Sequence, residues 1–416
     1  MSAAGRSSRR ARASFAPPGN VEHMGPPRQT GRGKLPLMDP AIRLLRELVA
    51  VNSVNPTLVL GAPGERQIAD LIAAEMRRGG LDVSIETVTQ DRPNVVGVLE
   101  GRAPGRTLMF CGHTDTVGVT GMIDPFTPIE RDGRIYGRGA QDMKGGVAAM
   151  IAAATAIAGR GDLAAGRLVV AAVVDEEHLS IGADALVKSW RADAAIVTEP
   201  TGLEIAVGHK GFAWVNVAVE GKAAHGSRPA DGQDAILRLG RVLSRLEALD
   251  RTLQGRPPHP LVGTGSLHAS IIEGGRELSS YPDRATLQME RRTLPGEPES
   301  IALHEVQDIL DALQREDATF RGTATPMFSR PAYEIPPDND LPQILADALR
   351  REGGEPRVGG ASFWTDAAVL GNAGIPSVLF GPGGAGLHST VEYVNVSDVV
   401  LCRDTLVELV RRFCQG

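Results

Sequence analysis

Two histidines and a set of carboxylates stand just beyond apolar runs in this 416-residue chain. His113 and Asp115 follow "TLMFCG", Glu176 and Glu177 follow "RLVVAAVV", Glu199 follows "AAIVT", and His388 comes shortly after "PSVLFG". Asp142 lies in "GRGAQDMKGG", ahead of a small-residue helical stretch. The densest group is "VVDEEH". There Asp175, Glu176 and Glu177 sit side by side at the end of a hydrophobic strand, where mutual repulsion and partial desolvation both act against them. A solvated turn would relieve that cost, and so would a bound cation. Imidazole mixed with carboxylate suits zinc or a similar divalent ion. Each residue alone also has a plainer role: a structural histidine at a strand end, a turn acid before Pro200, an aspartate capping a helix. It is their common location that favours the metal.

That common location depends on the elements in front of them. Asp39-Pro40 reads as an N-cap with Pro at the first helical position, opening "AIRLLRELVAV". A second helix, near "ERQIADLIAAEMRR", stops at Gly79-Gly80, and "MKGGVAAMIAAATAIAG" is a third. With the short apolar runs between them, and with "PQILADALRREGG" and "SDVVLCRDTLVELVRRF" later, the pattern alternates strand and helix. It predicts an α/β fold whose mostly parallel sheet is covered on both faces. In such a sheet ligands bind beyond the carboxyl ends of the strands. From Gly211 the pattern changes: "FAWVNVAVEG" alternates with period two, and a strand, helix, two strands and a helix follow. These residues predict an inserted α+β unit over 210–322, between the two parts of the α/β domain, 38–209 and 323–416.

Length points to two domains, and 42% hydrophobic with 23% charged residues is ordinary for a globular protein. No apolar run approaches a membrane span, and a net charge of −6 gives no case for nucleic acid. Residues 1–37 hold seven Lys/Arg against the single acid Glu22, which leaves 37 basic and 49 acidic groups, near −12, for the remainder. This Arg-, Ser-, Gly- and Pro-rich segment is expected to be a disordered tail. Arg9-Arg10 lacks the apolar stretch of an export signal. A transit peptide, or a true start at Met38, are the other readings of this end. Three cysteines, Cys111, Cys402 and Cys414, make no disulfide framework and fit a reducing cytoplasm.

The segments "FCGHTDTV", "GRGAQDMKGG", "VVDEEHLSIGA", "VTEP" and "LHSTVEYV" resemble, in order, the metal-binding motifs of the M20 metallopeptidase and deacylase family. That family includes acetylornithine deacetylase, succinyl-diaminopimelate desuccinylase, aminoacylase-1 and glutamate carboxypeptidase. The resemblance runs from about Pro40 to the C-terminus. It implies two divalent ions, zinc first with cobalt or manganese also suited, in an α/β domain carrying an inserted dimerisation domain. By the same resemblance Asp142 bridges the ions, His113 and Glu199 hold one, Glu177 and His388 the other, and Asp115 orients the His113 imidazole. Glu176 is the implied general base, and Asp175 supports the turn. "GKAAHGSRPADGQDAI" resembles the family segment whose histidine crosses a homodimer to stabilise an oxyanion, here His225. "ERRTLPGE" implies Arg292 as a partner for a substrate carboxylate, with Arg291 a solvated neighbour. Ser279 stands where many relatives have a substrate-binding Asn. Glu199 rather than Asp is closer to the deacetylase and desuccinylase branch. The expected activity is therefore hydrolysis of an N-acyl amino acid or similar small carboxylate, with dipeptidase or carboxypeptidase activity the alternative.

Two other classes are weighed against it. Gly381, Gly383 and Gly386 satisfy G-x-G-x-x-G after a strand, but Pro382 interrupts the loop and no helical pattern follows, so a dinucleotide site is rejected. A non-catalytic binding protein on the same fold would be expected to lack Glu176 or a ligand, and none is missing. His178 is not required by the resemblance. His209 and Lys210 read as hinge residues, and Cys111 as a small core residue.

Overall fold

The computed structural model of the chain describes residues 38–415, and the tail expected over 1–37 lies outside them. Strands made of unbroken Val, Ala, Ile and Leu runs must be covered on both faces, and they form the centre of the main sheet. Arg167–Val173, Thr107–His113, Ala194–Val197 and Ser377–Leu379 are neighbours in that order, all parallel. Nearly every side chain in them is buried. Asp82–Thr89 and Arg92–Glu100 extend the sheet on one side, and Ile205–His209, Tyr333–Glu334 and Val358–Ala361 extend it on the other.

The expectation of a mostly parallel sheet is corrected here: the nine-stranded sheet is mixed. Asp82–Thr89 pairs antiparallel with Arg92–Glu100, which pairs antiparallel with Arg167–Val173. On the far side Ile205–His209 runs antiparallel to Ser377–Leu379 and to Tyr333–Glu334. The reason on the first side is connection length. Only Gln90 and Asp91 separate the first two strands, and a link that short makes a hairpin, never a crossover. Four parallel strands remain together in the middle, and the candidate ligands follow them.

Helix Gly145–Arg160 is apolar on nearly all sides and is correspondingly buried. It packs against Thr107–His113 and Arg167–Val173, with helices Pro40–Val49 and Val396–Phe413 against it in turn. Its first turn lies close to the strand-end backbone: a Cβ at Gly146 would stand 1.9 Å from the Thr198 carbonyl oxygen. The expected cap is present, with the Asp39 carboxylate accepting from Ala41 N at 2.9 Å.

Residues 211–330 carry a second, four-stranded antiparallel sheet in the order Ser266–Gly274, Arg284–Thr293, Gly211–Glu220, Arg321–Arg330. Helices Ala235–Gln254 and Ile301–Glu316 cover one face, and Val215, Val217, Leu287, Leu239, Val306 and Leu310 belong to a separate hydrophobic cluster between them. The strand Arg321–Arg330 runs across position 322, where the sequence pattern places a boundary. A small third sheet, Ile129–Arg131, Arg134–Tyr136, Tyr393–Asn395 and Gly384–Ala385, joins the segment before Asp142 to the segment around His388.

Arg291, read above as solvated, is fully buried. It pairs with Ala213 across the strands, and Ala213 belongs to the helix-covered cluster, so strand alternation turns Arg291 inward and leaves Arg292 on the other face. Its guanidinium meets Glu297 and Glu305, each at 3.0 Å. Removing one member of a buried ion-pair set leaves its partners uncompensated, so Arg291→Ala should lower unfolding stability by about 3–5 kcal/mol in urea titrations. A loss below about 1 kcal/mol, the size of an exposed pair, would contradict this packing.

Candidate metal centre

Three of the parallel central strands end in candidate ligands. His113 is the last residue of its strand, Glu176 and Glu177 follow Arg167–Val173 within a tight turn, and Glu199 follows Ala194–Val197. Asp142 enters from the side on Ala140–Lys144, a distorted turn ahead of Gly145–Arg160, with non-helical backbone angles (φ −114°, ψ 98°). His388, at φ 56°, stands in the turn between Gly384–Ala385 and Tyr393–Asn395.

The six residues meet. Asp142 reaches His113 through Oδ1 at 3.1 Å and His388 through Oδ2 at 3.3 Å. Glu177 lies 3.0 Å from His388 Nε2, while Glu176 and Glu199 lie 3.9 and 4.0 Å from His113 Nε2. Donor atoms of His113, Glu176 and Glu199 stand within 4.8 Å of one another, as do those of His113, Asp142 and Glu177. His388 belongs to neither trio and is half exposed at the rim.

Behind them Asp115 is fully buried. The His113 Nδ1 faces the Asp115 carbonyl oxygen at 3.1 Å and its carboxylate at 3.6 Å. That carboxylate accepts from the backbone N–H of Glu176 and Glu177 at 3.1 and 3.2 Å and from Asn55 Nδ2 at 2.8 Å. Asp115 therefore positions the glutamate turn as well as facing the imidazole. The Asn55 amide also donates to Asp175, which takes Arg92 at 2.7 Å, and Arg92 holds Glu65 through two further bonds. At φ 71° Asp175 turns the chain and accepts from Leu179 N, so its expected role in supporting the turn matches its contacts.

The charges in this pocket do not balance. Burial pushes the Glu176 and Glu199 carboxyls well above the usual range, with neighbouring carboxylates adding to the rise against the pull of His113. Burial and Asp142 push Glu177 up to about 7, and burial pushes Asp366 up to about 7. Asp142 moves the other way. Burial would raise it, but the two imidazoles pull it below the ordinary carboxylate range. His388, hydrogen-bonded to Asp142 and Glu177, rises to about 10. One oxygen of Glu199 and both of Asp366 are buried without a hydrogen-bond partner. Buried carboxylates that share two imidazoles and leave acceptor oxygens unused fit a set of hard-cation ligands, so the donors present suit a divalent metal.

Other expected residues lie apart. Among the described residues His225, Ser279 and Arg292 make no hydrogen bond or ion pair to this cluster. His225 is exposed in the loop between Gly211–Glu220 and Ala235–Gln254 and bonds Ser227 at 2.8 Å, with Gly226 N donating to the Ser279 carbonyl beside it. Arg292 is held by Glu290 at 2.6 Å and lies over the Phe212 ring. His209 is buried and lowered to about 4 by burial, and Lys210 donates to the Thr264 carbonyl. The G-x-G-x-x-G match leads into the strand Gly384–Ala385 and a turn, and the next helix starts only at Val396. That arrangement gives no helix N-terminus for a phosphate.

Asn55, Arg92, Glu65, Asp366, Arg138 and Glu392 escaped the sequence reading. Glu392 stands in the quoted "LHSTVEYV" as an acid between Val and Tyr, a signal that could have been used. Nothing near Asn55 or Arg92 in sequence marks them as partners of a turn at 175.

A mixed α/β sheet whose strand ends gather carboxylates and two histidines into a candidate metal centre is the arrangement of a metal-dependent hydrolase. The chain belongs to peptidase family M20/M25/M40, whose model matches residues 109–412. It is similar to the acetylornithine deacetylase of Myxococcus xanthus, 33% identical over 91% of this chain and 98% of the relative. The acetylornithine deacetylase of Photorhabdus laumondii is 30% identical over 92% and 98%. Among solved structures, a tripeptidase from Staphylococcus aureus shares the fold with a TM-score of 0.76 at 22% identity, over 91% of this chain and 98% of that one. A dinuclear metal-binding M20 peptidase from Bacillus subtilis does so with a TM-score of 0.70 at 15% identity, over 90% and 98%.

The acid set makes a prediction for the metal-free protein. Glu177 and Asp366 bind protons more tightly folded than unfolded, so between their ordinary values near 4 and about 7 the folded state holds more protons. Stability then falls as pH rises through that window. Thermal unfolding of chelator-treated protein should show this decline between about pH 4.5 and 7, and added Zn2+ should reduce it. A metal-free melting temperature that climbs steadily across the window would refute the charge assignment.

Proposed function

We propose that the protein is a metal-dependent amidohydrolase that removes the acyl group from an N-acyl amino acid or a similar small carboxylate. The observation that carries this reading is the placement of Asp142 between His113 and His388, with Glu177 on one side and Glu199 on the other. In this reading Asp142 would serve both ions, with His113 and Glu199 holding one and Glu177 and His388 the other. Zinc is the proposed metal, with cobalt and manganese suited to the same donors. The likeness to acetylornithine deacetylases across nearly their whole length supports a deacylase over a dipeptidase.

When bound, the metal pair supplies an acidified water and a polarised carbonyl. Glu176, whose carboxylate stands beside His113 and Glu199, is assigned in this reading not as a ligand but as the proton carrier. Its carboxylate takes a proton from the attacking water and delivers it to the amine nitrogen as the C–N bond breaks. Two features of this chain prepare it. Asp115 fixes the Glu176 backbone through its N–H, and burial among negative neighbours makes the carboxylate a stronger base than an exposed one. Glu176→Gln should lower turnover of N-acetyl amino acids about 10²–10⁴-fold while the metal content stays unchanged. Wild-type turnover in that variant would remove Glu176 from the chemistry, and dipeptide turnover exceeding that of N-acyl amino acids would favour the dipeptidase alternative.

The inserted unit is proposed to make a homodimer and complete the site. Its edge strand Ser266–Gly274 exposes Ile271 and Ile272, and the adjoining helix exposes Ile236 and Leu237. A second copy docked there covers both an unpaired strand edge and an apolar patch. His225 of that copy then steadies the oxyanion, with Arg292 binding the substrate carboxylate and Ser279 lying beside the path. Mixing Glu176→Gln chains with His225→Ala chains is the direct test. Each variant alone is expected to be inactive, whereas each hybrid dimer has one intact site, so an equal mixture after subunit exchange should regain about one quarter of wild-type activity. No recovery despite demonstrated exchange would place His225 outside the partner's site.

A further inference from the structure

We propose that Glu392 is the positioning residue of the two-metal site, the carboxylate that fixes the bridging Asp142 and the His388 loop against each other. The proposal rests on the metal-site reading above and goes beyond it by naming the group that sets the geometry of the shared ligand. Glu392 is 1% exposed. Its Oε1 accepts from the backbone N–H of Gln141 at 2.9 Å and of Asp142 itself at 3.1 Å. Its Oε2 accepts from Gly139 N at 3.1 Å and from Arg138 at 2.6 Å. An ionised carboxylate has about four acceptor directions, and here all are used by donors of one short segment, residues 138–142.

That segment holds itself only in part, through Ala140 N to the Gly137 carbonyl and Lys144 N to the Gly139 carbonyl. Asp142 lies outside helical geometry, so its N–H has no ordinary intrahelical place and takes Glu392 instead. Glu392 in turn stands four residues beyond His388, at the start of the strand Tyr393–Asn395, and its own carbonyl accepts from Gly137 N at 3.2 Å. Arg138 closes the unit by donating to the Ser389 carbonyl, next to His388, at 3.0 Å and to the Gly118 carbonyl at 3.1 Å. One buried ion pair thus joins the loop of the bridging ligand to the loop of the rim ligand. Every one of its bonds is spent on position, which leaves Glu392 no lone pair to offer a metal.

The chemistry makes Glu392→Gln a sharp substitution. It keeps the size but turns an NH2 group toward two N–H donors, whichever way the amide faces. Chelator-treated wild type, Glu392→Gln and Glu392→Asp would be titrated with Co2+ alone, following visible absorption and affinity, with circular dichroism to establish folding. Groups behind the ligands are typically worth about 10–100-fold in metal affinity. A folded variant should therefore bind Co2+ at least about tenfold more weakly than wild type, with an altered absorption band. The aspartate variant, which keeps the charge with a shorter reach, carries the same comparison if the glutamine variant does not fold. Wild-type affinity and an unchanged band in a folded variant, with only a lower melting temperature, would reduce Glu392 to a structural ion pair and overturn the proposal. Failure of the wild type itself to take up Co2+ would instead strike the metal reading on which it rests.

Discussion

Removing several carboxylates from water at one end of a hydrophobic sheet costs more than any single hydrogen bond returns, and the site is arranged around that cost. Asp115, Asp175, Glu176, Glu177 and Glu199 all follow central parallel strands whose side chains are buried on both faces. The chain manages the acids in two layers. The deeper layer is bonded: Asn55 spans Asp115 and Asp175, and Arg92 joins Asp175 to Glu65. The layer nearer solvent is left with two imidazoles and unused oxygens. Raised proton affinity at Glu176, Glu177 and Glu199 is the signature of that shortfall.

The peripheral pieces of the fold serve the same arrangement. The third sheet brings the segment before Asp142 beside the segment of His388, so that a candidate ligand from early in the chain and one from its last 30 residues share a rim. The inserted unit is coupled to the glutamate turn through Arg330, at the end of its last strand. That guanidinium pairs with Asp184 at 2.7 Å, donates to the Leu179 carbonyl, and lies over the Phe328 and Trp364 rings. Trp364 stands two residues before Asp366 and contacts Phe212 edge-on. The inserted sheet and the chain just after the turn of Glu176 and Glu177 thus share one cation and a small aromatic cluster.

How far the sequence discloses this follows from the range of each interaction. His113, Glu177 and Glu199 are legible because a period-two or fully apolar run ends at each of them, and a strand end has a known address in an α/β sheet. The inserted strands and helices are legible for the same reason: the alternation read in Gly211–Glu220 survives in the structure from Ala213 to Glu220. Sheet direction is not. The hairpin of Asp82–Thr89 and Arg92–Glu100 hides in a segment whose first strand has only Val83 and Ile85 on its core-facing side and is half exposed, and alternation of strand and helix elsewhere suggests crossovers that it does not make. Arg291 and Arg292 are indistinguishable as neighbours in sequence until the register of their strand decides which one faces the helices. Asn55 is 60 residues from Asp115 and 120 from Asp175, so its role exists only in the folded chain.

The distribution of arginine explains why the donor set suits an exchangeable ion and not a built-in counter-charge. Two buried guanidinium groups pair with acids that support the cluster and are committed there: Arg92 to Glu65 and Asp175, Arg138 to Glu392 and two carbonyls. Among the described residues no arginine or lysine pairs with Asp142, Glu176, Glu177 or Glu199, and the buried Lys144 donates to the Val51 carbonyl. A fixed cation in that position would balance the pocket permanently and fill the space where a substrate carbonyl must approach. By spending these permanent charges on the acids behind and beside the cluster, the fold hydrogen-bonds the backbone of the candidate ligands in place and still leaves their carboxylates short of positive charge. Rigid, under-compensated oxygen and imidazole donors are what a divalent ion binds most tightly.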